Sequence, residues 1–169
     1  MSLRRRFAAR FIAVFAAIIA GGASAVLPAA PAAAAGVYIA NYIDSRCIHA
    51  LATSGAVVDA GGTCGPFWVF ELRAQDPGGV NIYRIRMDGT NLCVVVRGPS
   101  NDARAVLSGC GHWIDQHWAR RGFSLGYQLI NQNSGKCLTS RNGSASVDTV
   151  IQYTCRTDGS WEDQLWYHF

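Results

Sequence analysis

From residue 37 onward, short runs rich in β-branched and aromatic side chains alternate with clusters of Gly, Asn, Asp and Ser. The runs cover residues 37–42, 47–50 and 56–60, then 83–87, 92–96 and 105–108, then 127–131, 136–139 and 150–155. A segment around Trp68, Trp118 or Trp166 closes each group of three. Runs this short and this rich in Val, Ile, Tyr and Trp predict strands. The breaks between them include Asp88-Gly89, Ser108-Gly109, Ser134-Gly135, Asn142-Gly143 and Asp158-Gly159, which favour chain reversal. Four strands per group make twelve in all, leaving no room for helices. Closing them into a barrel-like body removes exposed sheet edges. The expected fold class is therefore all-β.

The grouping is a threefold repeat. Cys47 and Cys64, Cys93 and Cys110, and Cys137 and Cys155 form three matched pairs, each displaced from the last by 44 to 46 residues. Tyr38, Tyr83 and Tyr127 precede the first cysteine of each unit, and Trp68, Trp118 and Trp166 follow the second. The units span approximately 36–80, 81–124 and 125–169. A unit so short cannot bury a core alone, so three must pack together into one domain over 36–169. The repeat selects one cysteine pairing: Cys47–Cys64, Cys93–Cys110 and Cys137–Cys155.

Residues 1–35 read as a signal peptide. Arg4, Arg5, Arg6 and Arg10 precede an apolar run over 11–20, and small residues offer cleavage after Ala25 or after Ala35, the second abutting the repeats. Either Sec or twin-arginine export fits this start. Gly21, Gly22, Pro28 and Pro31 interrupt the run, which argues against a stable membrane span. Without this segment the chain keeps 11 basic and 11 acidic residues, so the overall charge of +4 belongs to the leader. The mature chain has no field to attract nucleic acid or anionic lipid. An even cysteine count in an exported chain fits disulfides and an extracellular location.

Particular motifs resemble those of the ricin B-type lectin domains, secreted bacterial type. Asn133-Ser134-Gly135-Lys136-Cys137-Leu138 resembles that family's opening, residues 150–155 its middle strand, and Gln164-Leu165-Trp166 its closing Q-x-W. Gln116-His117-Trp118 repeats the Q-x-W, and Pro66-Phe67-Trp68 keeps only its tryptophan. The resemblance implies a β-trefoil over nearly all of 36–169, with Trp68, Gln116, Trp118, Gln164 and Trp166 as structural Q-x-W residues. It also implies a monomeric carbohydrate-binding module for glycans containing galactose or xylose.

Sugar-binding members resemble one another in placing a carboxylate two residues after the first cysteine and an aromatic two residues before the second. Here His49, Val95 and Thr139 hold the first position, and Gly62, Ser108 and Tyr153 the second. The third unit is thus the expected site: Tyr153 as stacking face, Asp163 as hydroxyl acceptor, Thr139 and Asn142 as further polar groups. Weak binding is expected, since about millimolar affinity corresponds to about −4 kcal/mol. A trefoil turned to protein contact, such as an inhibitor, and a purely structural exported module are the alternatives.

Catalysis has little support. His112-x-x-Asp115-x-His117 runs into an expected strand, where Asp115 and His117 share a face and His112 does not. No nucleophile elbow, zinc-protease helix or phosphate loop occurs. No cofactor or metal is called for, and the expected protein is not an enzyme.

Overall fold

The computed structural model describes residues 35–141, 147–158 and 162–169. Twelve strands follow in four-strand sets. The first unit contains β1 (Ile39–Asn41), β2 (Cys47–His49), β3 (Asp59–Gly61) and β4 (Trp68–Gln75). The second contains β5 (Asn81–Met87), β6 (Leu92–Val96), β7 (Ala105–Gly109) and β8 (His117–Phe123). The third contains β9 (Gly126–Asn131), β10 (Cys137–Arg141), β11 (Val147–Tyr153) and β12 (Trp166–His168).

The outer strands of each set form the barrel. β1 pairs β12, β12 pairs β9, β9 pairs β8, β8 pairs β5 and β5 pairs β4, all antiparallel. A bridge between Val37 and Trp68 returns β4 to the chain just before β1, so the ring closes without a long free edge. The inner strands make three hairpins, β2–β3, β6–β7 and β10–β11. Each hairpin touches the other two: β11 pairs β3, Val57 bridges Val106, and Arg104 bridges Ile151. This is the β-trefoil, with three hairpins capping a six-stranded barrel.

The core repeats with the sequence. Trp68, Trp118 and Trp166 are fully buried in one cluster, beside the related triplets Ile39, Ile85, Leu129 and Ile48, Val94, Leu138. A buried indole needs an acceptor for its N–H. Each tryptophan finds the same one, the carbonyl of the residue after the first cysteine of its unit. The Nε1 distances are 3.1 Å to Ile48, 3.2 Å to Val94 and 2.9 Å to Leu138. The three disulfides all lie within units, as the repeat predicts, with sequence separations of 17, 17 and 18. Charge clusters on one sheet face: Glu71 on β4 accepts from Arg84 and from Arg86, at 2.5 and 2.6 Å, so these arginines are structural partners. Where β4, β5, β8 and β9 meet, the Arg120 guanidinium lies 5.0 to 5.8 Å from the ring centres of Phe70, Tyr83 and Tyr127.

Two features depart from the sequence expectation. Single 3-10 turns form at Ile114–Gln116 and Glu162–Gln164, immediately before the second and third tryptophan strands. No such turn forms before β4, where Pro66 replaces the glutamine. Asp115 therefore belongs to a turn and not to the expected strand, and His117 begins β8.

Candidate functional site

The Q-x-W glutamines brace the chain around the second cysteine. Gln116 Nε2 donates to the Gly109 carbonyl at 2.8 Å, and its Oε1 accepts from the Gly111 N–H at 2.8 Å, clasping both sides of Cys110. Gln164 does the same across Cys155, donating to Thr154 O at 3.0 Å and accepting from Arg156 N–H at 3.1 Å. Both amides are buried, and each satisfies a backbone donor and a backbone acceptor. Neither is presented to a ligand.

A second pair of amides holds the turns themselves. Asn41 Nδ2 donates to the carbonyls of Asp163 and Leu165, at 3.0 and 3.2 Å, and Asn131 Nδ2 donates to Asp115 O at 2.8 Å. Each asparagine thus secures the 3-10 turn of the preceding unit in the ring, and both are fully buried. Sequence reasoning missed them. The available signal was position: Asn41 and Asn131 both stand six residues before a first cysteine, with Met87 in the remaining unit. Met87 lies beside Phe67, whose carbonyl accepts from Asp88 N–H, where no 3-10 turn needs holding. Replacing Asn131 by Ala removes a donor to Asp115 and the acceptor for Asn133 and Ser134 N–H. Leaving buried groups unpaired costs about 1–3 kcal/mol, so Asn131→Ala is expected to lose that much in denaturant unfolding.

In the third unit, Tyr153 ends β11 and Asp163 lies in the second 3-10 turn. Arg141, at the end of β10, stands over Tyr153. Its guanidinium carbon is 4.2 Å from the Tyr153 ring centre, and Nη1 is buried without a hydrogen-bond partner among the described residues. Burial pushes the Asp163 carboxyl above the ordinary aspartate range, and the Arg141 charge only partly offsets this. Tyr153, Arg141 and Asp163 therefore form one arrangement, in which a guanidinium stacks on the expected sugar platform. Thr139 does not join it. Its side chain is fully buried on β10, and its hydroxyl donates to Cys137 O at 3.0 Å, which corrects its expected role as a surface polar group. Asn142 lies outside the described residues.

The other units differ. In the first, His49 and Gly62 line an open groove of about 1060 Å³ with Arg46, Leu51, Asp59 and Pro66. In the second, Val95 is buried and Ser108 Oγ accepts from Arg97 Nη2 at 3.2 Å. Arg97 also lines a cleft of about 320 Å³ with Trp113, Ile114, Asp115 and Asn133. The His112, Asp115 and His117 set folds around the 3-10 turn in a corner rich in cations. Arg73 Nη2 is 3.2 Å from His112 Nδ1. Burial holds the His117 ring below the usual imidazole range, and Arg73 and Arg84 add to the effect. Such surroundings oppose a bound cation and a protonated imidazole alike.

The family model for the ricin-type beta-trefoil lectin domain matches residues 81–169, which is more than half of the chain. The chain belongs to the ricin-type β-trefoil lectin domain family. Membership places it among carbohydrate-binding modules, a fold that is typically non-catalytic. No curated protein matches it significantly in sequence. Among solved structures it is similar to ThreeFoil, a designed 3-fold symmetric protein, at TM-score 0.66 and 19% identity, covering 78% of this chain and 96% of that one. It is also similar to a Polyporus squamosus lectin bound to the epitope Neu5Aca2-6Galb1-4GlcNAc, at TM-score 0.62 and 15% identity, covering 80% of this chain and 49% of that one. A Clostridium thermocellum exo-beta-1,3-galactanase gives TM-score 0.62 and 16% identity, covering 79% of this chain and 30% of that one. The ricin-type domain thus spans nearly all of the designed protein, about half of the lectin and under a third of the galactanase.

Proposed function

We propose that residues 36–169 form a secreted, non-catalytic glycan-binding domain that acts as a monomer, released from a signal peptide over residues 1–35. The reading is supported by family membership, by three internal disulfides suited to an oxidising compartment, and by a mature sequence with balanced charge. The observation that carries a third-unit site is the convergence of Tyr153, Arg141 and the half-buried Asp163 carboxylate. A sugar there packs its C–H side against the Arg141–Tyr153 stack and donates hydroxyl protons to Asp163. Binding is weak, because a hydrogen bond to a charged group contributes about 1.5–3 kcal/mol and the carboxylate slot beside it holds the buried Thr139. Neutral polymers built from galactose or xylose are the proposed ligands.

The test is a pull-down on xylan, galactans and chitin with the mature chain. Tyr153→Ala is expected to reduce retention about tenfold on whichever polymer binds. Retention unchanged by that substitution would remove the third unit from the reading.

A specific observation favours protein contact as the second reading. Phe67 and Phe169 are 45% and 60% exposed, and Tyr38 packs against both, with ring centres 4.4 and 5.6 Å away. An aromatic patch of this kind suits a protein partner better than a sugar. Polymers that retain nothing, together with a partner whose binding is lost on Phe67→Ala, would establish it.

A further inference from the structure

We infer that the open end of the barrel is a docking site for a carboxylate side chain of a protein partner, with the Arg120 guanidinium as its receptor. The surface is separate from the third-unit glycan site, and the inference does not rest on glycan binding. Alternate residues of a strand share a face, so the positions two residues after Trp68, Trp118 and Trp166 form the next inward layer. That layer lies further from the hairpins, whose strands accept the tryptophan N–H groups. Threefold repetition predicts three like apolar groups there. Instead the layer holds Phe70, Arg120 and His168. Strand register shows that the three positions are equivalent: Phe70 stands opposite Ile85, Arg120 opposite Leu129 and His168 opposite Ile39, which are one core triplet.

The cation in this layer has no counter-ion. Arg120 makes no ion pair among the described residues. It is held instead by the rings of Phe70, Tyr83 and Tyr127, whose centres lie 5.8, 5.0 and 5.2 Å from its guanidinium carbon. The rings brace one another, with Phe70 meeting Tyr83 and Tyr127 edge-on at 5.5 and 6.1 Å. Such a cage positions a charge without neutralising it. The guanidinium nitrogens keep access to solvent, unlike the buried Nη1 of Arg141. His168 lies beside the cage, its ring centre 5.6 Å from that of Tyr127 and 6.0 Å from that of Phe70. Partial burial, and after it the Arg120 charge, hold this imidazole below its usual range. His168 is therefore neutral at pH 7 and adds an N–H donor, not a second charge.

These groups specify the partner. A carboxylate matches the planar fork of a guanidinium and cancels the charge that the barrel leaves uncompensated. The surroundings are apolar. Leu72, two residues beyond Phe70 and opposite Tyr83, is exposed, as is Leu125 in the turn between β8 and β9. A single cation set among aromatic and leucine side chains has the make-up of a protein-interface centre, where Arg and Tyr concentrate binding energy. A polyanion would require several cations on one face, whereas Arg84 and Arg86 are already paired with Glu71. The occupant is therefore an exposed Glu or Asp of a partner protein, flanked by apolar residues.

The test is two-dimensional NMR of the mature protein titrated with the peptide acetyl-Leu-Glu-Leu-amide, its Gln counterpart, and acetate. The Glu peptide is expected to move the Arg120 Nε–H signal and to raise the pH at which His168 titrates, because a bound anion favours the protonated imidazole. Exchanging Glu for Gln in the peptide, or Arg120→Gln in the protein, is expected to weaken binding at least about tenfold. Tyr153→Ala and Phe67→Ala are expected to change it less than about twofold, since neither side chain belongs to the layer. Unchanged signals from the three buried indoles show that the variants are folded, and the Glu-against-Gln comparison on the unaltered protein decides the matter even where Arg120→Gln fails to fold. Glu and Gln peptides that bind alike, a Glu peptide bound as well by Arg120→Gln, or no response to millimolar Glu peptide would overturn the site. Acetate acting as strongly as the Glu peptide would overturn the protein partner. Polysaccharide retention tests the glycan reading separately, so either can fail alone.

Discussion

Trp118→Ala is expected to destabilise the domain by about 3–5 kcal/mol, the usual cost of removing a large aromatic from a packed core. The indole is fully buried at the junction of the three units, and its loss also strands the Val94 carbonyl that accepts its N–H at 3.2 Å. For a domain of this size the loss corresponds to a fall in Tm on the order of 10–20 °C. Trp166→Ala should behave alike, because it makes the same bond to Leu138. Trp113→Ala is the contrasting control. Its side chain is mostly in solvent, so a change within about 0.5 kcal/mol is expected. Chemical unfolding of the three variants measures this directly. Equal effects at Trp118 and Trp113 would contradict the division between core and surface tryptophans.

Reduction of the three disulfides is expected to unfold the domain. Each closes a loop of 17 or 18 residues, worth about 3 kcal/mol in the chain-entropy account. Together they approach about 9 kcal/mol, against a net stability of about 5–15 kcal/mol for an ordinary domain. Removing one pair, as in Cys137→Ala with Cys155→Ala, should cost about 3 kcal/mol and leave a folded protein. Circular dichroism and denaturant titration, with and without prolonged exposure to excess reductant, separate the two cases. A reduced protein with unchanged strand content and midpoint would show that packing alone carries the fold. The Cys47, Cys93 and Cys137 side chains are fully buried, so reduction should follow unfolding fluctuations and be slow.

The fold was readable because its strongest signals are periodic. Cysteine pairs and tryptophans at a constant spacing report the unit, and the unit reports the number of strands. The tryptophan environment was also legible, since a repeated Trp at one position in each unit implies one shared core. The 3-10 turns were less so. They depend on Asn41 and Asn131, which act on a neighbouring unit more than a hundred or about sixteen residues away along the chain. No local pattern carries such a contact.

The site shows the same limit. Tyr153 and Asp163 could be named from their positions relative to Cys155 and Trp166, but Arg141 could not be seen lying across the ring. Thr139 has the right chemistry at the right position, yet its hydroxyl is turned to its own strand. Trp113 was not singled out in the sequence, because it stands outside the repeated tryptophan positions. Its exposure separates it from the buried set.

Binding of sugar by the folded mature domain is the central claim, and a glycan array probed with residues 36–169 tests it most directly. The account predicts reproducible, millimolar-range recognition of neutral galactose- or xylose-containing glycans, diminished by Tyr153→Ala. A disulfide-bonded protein with a β-rich dichroism spectrum that retains no glycan at high density would contradict it.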